Sequence, residues 1–147
     1  MKKLYLILVA ILLASLIAAG TALAEDDGAE FEADLTGAAE VPGPGDPDGS
    51  GEAEITLDPT MGKVCWKLEV EDIAPASAAH IHVGPAGVAG PIVVPLSAPT
   101  MGESSGCRTV APDLIAAIMA NPAVYYVNVH NAEFPAGALR GQLQADD

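Results

Sequence analysis

His80, His82 and His130 are the only histidines in a chain of 147 residues, and each lies in a run of β-forming residues. A strand sends successive side chains to opposite faces, so His80 and His82 share one face while Ile81 and Val83 take the other. The run ending at His130 repeats the pattern: Tyr125, Val127 and Val129 face one way, and Tyr126, Asn128 and His130 the other. The apolar set belongs to a core, which turns all three histidines outward to solvent. Residues two apart on a strand are separated by about 6.6 Å, and opposed side chains on paired strands start about 5 Å apart. If the two strands pair, three neutral imidazoles can converge on one ion at about 2.0 Å, a donor set that suits copper or zinc and leaves a position for water or substrate. Ordinary polar side chains on a wet face are the plain alternative. Asn128, Glu133 and Tyr126 are the nearby side chains able to orient a ligand ring.

The elements that must position these residues are short. Pro, Gly and Asp clusters divide the chain into eight runs rich in Val, Ile, Leu and Tyr, at 31–36, 51–57, 63–70, 78–83, 92–96, 104–110, 123–130 and 138–143. Such spacing predicts an all-β fold of two packed sheets. In the third run Val64, Trp66, Leu68 and Val70 alternate with Cys65, Lys67 and Glu69, giving one apolar and one wet face. One helix interrupts the pattern at 112–120, with Pro112 in its first turn, Asp113 near its positive end and Asn121-Pro122 stopping it. Leu114, Ile115, Ile118 and Met119 form a stripe that caps one end of the sandwich. The acidic residues at 25–30 and Asp146-Asp147 predict frayed ends.

Cys65 and Cys107 are the only cysteines. They are read as one disulfide, whose closure of the intervening loop stabilises by about 4 kcal/mol in the chain-entropy model. Because Cys65 lies on the polar face, the bridge is expected to staple neighbouring strands or a loop on the outer surface. A pair of thiolate metal ligands is the rival, but neither Cys has ligand spacing around it.

Met1 to Ala24 carries Lys2-Lys3, an apolar run from Leu4 to Ala19 and the small residues Ala22 and Ala24 before Glu25, the pattern of a secretory signal peptide cleaved after Ala24. The apolar run is short for a membrane span of about 20 residues, so the mature chain is expected to have no span and to be secreted or periplasmic. Removal of Lys2 and Lys3 leaves 4 basic against 20 acidic residues, a net charge of −16. Lys63, Lys67, Arg108 and Arg140 are too few and too scattered to bind nucleic acid. An anionic membrane surface would repel the chain.

Two further motifs are weak. Asp46-Pro-Asp48-Gly-Ser50-Gly51 resembles the start of a calcium loop, but Leu57 stands at the twelfth place and a strand follows, so a Gly-rich turn is the better reading. Weak calcium binding by surface carboxylates stays open. The stretch from Gly84 to Pro91 lacks phosphate-loop spacing and is read as a loop beside the His-x-His strand, at the rim of any metal site. No serine sits in a nucleophile elbow.

Two blocks, Ala79-His-Ile-His-Val-Gly-Pro-Ala-Gly-Val-Ala-Gly-Pro-Ile-Val-Val-Pro-Leu96 and Tyr125-Tyr-Val-Asn-Val-His-Asn-Ala-Glu-Phe-Pro-Ala-Gly-Ala-Leu-Arg-Gly-Gln-Leu143, resemble the signature blocks of the CHRD family, the module repeated in chordin and found alone in exported microbial proteins. A weaker likeness extends over 29–143 and includes Leu35-Thr-Gly-Ala-Ala-Glu-Val-Pro42. The resemblance implies an immunoglobulin-like Greek-key β-sandwich or barrel with one short helix, a CHRD domain at 30–144 between an acidic tail at 25–29 and a C-terminal tail at 145–147. It implies no activity. A looser likeness is to copper,zinc superoxide dismutase, where a His-x-His strand supplies copper ligands. That likeness would put Arg140 in an anion-guiding position, against the alternative of a structural salt bridge. With no further histidine a binuclear site is excluded. The reading is a non-enzymatic binding or adhesion module, for an extracellular protein or cell-surface ligand, with a three-histidine copper or zinc site; the alternative is a copper-dependent redox enzyme resembling a one-metal superoxide dismutase.

Overall fold

A computed structural model describes residues 28–146. The signal peptide, its cleavage point and Glu25 to Asp27 lie outside the described residues. Nine strands and one helix follow in order: β1 (Ala29–Thr36), β2 (Ser50–Asp58), β3 (Lys63–Glu71), β4 (Ala76–Val83), β5 (Ile92–Leu96), β6 (Glu103–Thr109), α1 (Pro112–Ala120), β7 (Tyr125–Asn131), β8 (Leu139–Gln142) and β9 (Gln144–Ala145). The helix has the bounds that its Pro and Asn signals predict. Two single 3₁₀ turns are present: Gly37–Ala39 follows β1, and Pro122–Val124 takes the start of the β-run expected from Ala123. Proline at 122 cannot donate to a ladder, so the strand expected from Ala123 begins at Tyr125.

The strands form one antiparallel sheet ordered β5-β4-β7-β8-β1-β2-β3-β6, with β9 pairing β1. It curls into a nearly closed barrel. Where the edges β5 and β6 approach, the Ser104 hydroxyl donates to the carbonyl of Ser97 at 2.7 Å. The C-terminal residues are tied down, since Ala145 pairs with Phe31 and Asp146 N–H donates to Glu30 O at 3.1 Å. Fraying at that end is therefore not observed through Asp146; backbone pairing holds it.

Binary patterning accounts for the core. Phe31, Ala33 and Leu35 on β1, Ala53, Ile55 and Leu57 on β2, and Val64, Trp66, Leu68 and Val70 on β3 point inward, while Glu30, Glu32, Asp34, Glu52, Glu54 and Glu69 point to solvent. Ile115 and Ile118 of α1 join the same core and Leu114 packs against it, whereas Met119, expected on the same stripe, is exposed. Cys65 and Cys107 are directly opposed in the β3–β6 ladder and disulfide-bonded on the solvent face. The bridge staples an edge strand, β6, to its only ladder partner among the described residues.

Asp46 is not a calcium ligand in waiting. It is buried, and its Oδ1 accepts the backbone N–H groups of Asp48 at 3.1 Å and Gly49 at 3.2 Å, an Asx turn leading into β2.

Candidate metal centre

The geometric condition for a three-histidine cluster is strand adjacency, and β4 pairs β7 antiparallel with His80 opposite Asn128, His82 opposite Tyr126 and Ala78 opposite His130. His130 is thus the diagonal neighbour of His80, within reach of a ring. On its other side β4 meets β5 with a register shift, Ile81 opposite Val94 but His82 opposite Ile92, which leaves Val93 of β5 unpaired while His82 keeps its place against β7. Ring centroids lie 5.5 Å apart for His80 and His82, 5.2 Å for His80 and His130, and 6.4 Å for His82 and His130. One ring nitrogen from each lies within 4.8 Å of the others.

Two of the rings are anchored. Nδ1 of His82 is 2.8 Å from Gly90 O and Nδ1 of His130 is 3.0 Å from Pro135 O. A carbonyl only accepts, so each Nδ1 carries the proton and each Nε2 presents a lone pair. Those two Nε2 atoms, and Nδ1 of His80, are buried without a hydrogen-bond partner. Buried polar nitrogens lacking partners are costly in a protein interior, so three of them in one cluster make a candidate metal site.

The expectation that this face is open to solvent is corrected. His82 is buried, His80 and His130 are half-buried, and Tyr126 and Asn128 are 3% exposed. The loop from Gly84 to Pro91 folds over the strand and covers it. Gly90 performs both attachments: its carbonyl accepts from His82, and its N–H donates to Tyr126 Oη at 3.0 Å. A β-carbon at residue 90 would overlap the Val83 carbonyl, so the close approach requires glycine.

Tyr126 stacks on His82 with centroids 4.8 Å apart and planes 7° from parallel. Arg140 on β8, the strand on the other flank of β7, lays its guanidinium carbon 3.5 Å from the Tyr126 centroid. Its Nη2 donates to Gln142 Oε1 and Pro85 O, both at 2.9 Å. Among the described residues Arg140 forms no ion pair, so neither salt bridge nor exposed anion guide describes it; it is 1% exposed and holds Tyr126 from behind. Asn128 donates to Glu40 and to Leu139 O rather than to a histidine. Glu133 sits on an exposed turn, with no hydrogen bond to a histidine among the described residues. Glu40 and Gln142 are the residues that sequence reasoning missed, whereas Gly90 lies in the loop expected at the rim. Glu40 lies inside the Leu35–Pro42 block, which was the available signal.

Electrostatics favour neutral rings. Burial, with His130 and His82 adding to it, pushes His80 down to about 4. Burial also lowers His82, against its bond to Gly90, with His130 and Arg140 adding to the fall. Glu40 is pushed up to about 7 by burial, which outweighs the attraction of Arg140 and the bonds from Val41 and Asn128.

A family model for the CHRD domain matches residues 31–143, a stretch that contains all three histidines. No curated protein and no solved structure matches the chain.

Proposed function

The chain belongs to the CHRD domain family, and from that premise we propose that it is an exported binding module carrying one mononuclear metal ion, copper or zinc, on His80, His82 and His130. The observation that supports this reading is the trio of buried, unpartnered ring nitrogens converging from β4 and β7. Carbonyl anchors on His82 and His130 fix the ring orientation, an arrangement that ligand histidines use. The low proton affinity of His80 keeps its lone pair free at neutral pH. The cross-strand disulfide fits an oxidising compartment, and among the described residues no helix is long and apolar enough to cross a membrane. An extracellular protein or cell-surface ligand is the proposed partner class. Elemental analysis of the purified protein after metal loading and dialysis tests the metal site. One equivalent of copper or zinc per chain, absent from His82→Ala, is the expected result; wild-type protein that retains none refutes the reading.

One observation favours a second reading, copper-dependent redox chemistry resembling a one-metal superoxide dismutase. Three protein nitrogens leave an ion unsaturated, and half-buried His80 and His130 leave it accessible to a small molecule. Superoxide consumption by copper-loaded protein, compared with His82→Ala, separates catalysis from binding alone.

A further inference from the structure

We infer that the three-histidine site is built for monovalent copper in preference to zinc, with His82 and His130 as a fixed, widely opposed pair and His80 as an adjustable third ligand. This rests on the metal-centre reading and names the ion that reading leaves open.

The first support is the shape of the ring triangle. Centroid separations of 5.5, 5.2 and 6.4 Å define a circle of radius roughly 3.3 Å. A ring nitrogen lies about 1.1 Å from its centroid, so an ion at the centre would stand about 2.2 Å from each inward nitrogen, close to an imidazole bond of about 2.0–2.1 Å. Seen from that centre the rings subtend about 145° between His82 and His130 and roughly 100–110° for the other two pairs, so one angle is much wider than the others. Three imidazoles on a tetrahedral zinc would place their centroids about 5.1 Å apart in every pair. The 6.4 Å between His82 and His130 exceeds that by more than an ångström. Monovalent copper, with a filled d shell and a preference for two or three ligands, adopts linear to planar arrangements.

Anchoring makes the wide angle hard to close. His82 is tied to Gly90 and His130 to Pro135, carbonyls on two different loops, so folding the pair toward a tetrahedral angle must move both loops. Among the described residues no hydrogen bond holds either nitrogen of the His80 ring, which is free to adjust. Charge acts in the same direction. The donor set holds no carboxylate, and Glu40, the buried carboxyl on this face, is engaged by Asn128. The Arg140 guanidinium lies against Tyr126, which stacks on His82. A site with three neutral donors and a buried cation nearby penalises a second positive charge on the ion.

The test is anaerobic titration of the full chain with Cu(I) against a chromogenic Cu(I) chelator, and with Zn(II) against a zinc chelator, for wild type, His80→Ala, His82→Ala and His130→Ala. Wild type is expected to bind one Cu(I) at least about 100-fold more tightly than Zn(II). His80→Ala is expected to keep one Cu(I) with about tenfold weaker affinity, whereas either anchored-ring variant loses about 100-fold or more. Equal or tighter zinc binding by wild type overturns the inference, as does a His80→Ala loss as deep as that of His130→Ala. Wild-type protein that binds neither ion instead overturns the metal-centre reading itself. Should His82→Ala fail to fold by circular dichroism, the wild-type ion preference and the comparison of His80→Ala with His130→Ala decide the matter.

Discussion

His82 and Gly90 are locked together: the Nδ1–H of the histidine donates to the glycine carbonyl across 2.8 Å, and the glycine stands where no β-carbon fits. Gly90→Ala is therefore expected to lift the loop off β4, to cost more than about 2 kcal/mol through steric overlap, and to weaken metal binding. Gly87, in the same loop, has φ +81° and open space around its α-carbon. Gly87→Ala should cost only about 1 kcal/mol in backbone strain and leave metal affinity unchanged. Thermal melts paired with metal titrations check both; equal effects of the two substitutions would contradict a special role for Gly90.

The bridge between Cys65 and Cys107 holds edge strand β6 on the face away from the core. The double variant Cys65→Ser/Cys107→Ser should lose about 2–4 kcal/mol in denaturant unfolding. Hydrogen exchange is expected to rise most along β6, while the histidine cluster on β4 and β7 keeps its metal affinity.

Three outward carboxylates stand in a row across β1, β2 and β3, with Asp34 opposite Glu52 and Glu52 opposite Glu69. Lys67 pairs with Glu54 and Glu69, which leaves Glu52 without an ion-pair partner among the described residues. Like charges directly opposed destabilise a sheet, so Glu52→Lys should stabilise the fold by about 0.5–1 kcal/mol at low salt. The gain should shrink as ionic strength rises; a gain that persists in molar salt would point to packing instead.

The stability of the metal-free protein should depend on pH through His80. Its folded value of about 4 lies below the ordinary 6.5, so between these values the unfolded chain binds the extra proton. Stability should fall as pH drops from 6.5 toward 4, with a shallower slope in His80→Ala. Urea unfolding at several pH values measures this, and an unchanged slope would refute it.

Glu40 works in the opposite sense. Its value is raised from 4.5 to about 7, so the folded state holds the proton longer, and stability from this group is lost as pH rises through 7. Glu40→Gln, which keeps an acceptor for Asn128, should gain stability at pH 8 relative to its effect at pH 5 by on the order of 1 kcal/mol or more. A pH-independent effect would show that the carboxyl is ionised throughout.

The histidine pattern, the alternating strands, the helix at 112–120 and the cysteine pair were legible in the sequence because each rests on a local period or on residue type. Period two separated Ile81 and Val83 from His80 and His82, and the folded chain keeps that division. Two features were not legible: the burial of the histidine face, where Gly90 N–H bonds Tyr126, and the placement of Arg140 against Tyr126 instead of against an acid. Both depend on contacts between residues far apart in the chain, such as the 36 positions separating Gly90 from Tyr126 and the 55 separating Arg140 from the Pro85 carbonyl. Residue order alone determined which side chains share a strand face and which cysteines were available to pair. Only the folded barrel decided that β4 lies beside β7, and with it whether three scattered imidazoles form a cluster. The physical reason is that alternation fixes direction within a strand, whereas the choice of neighbour is settled by how the whole sheet closes around its core.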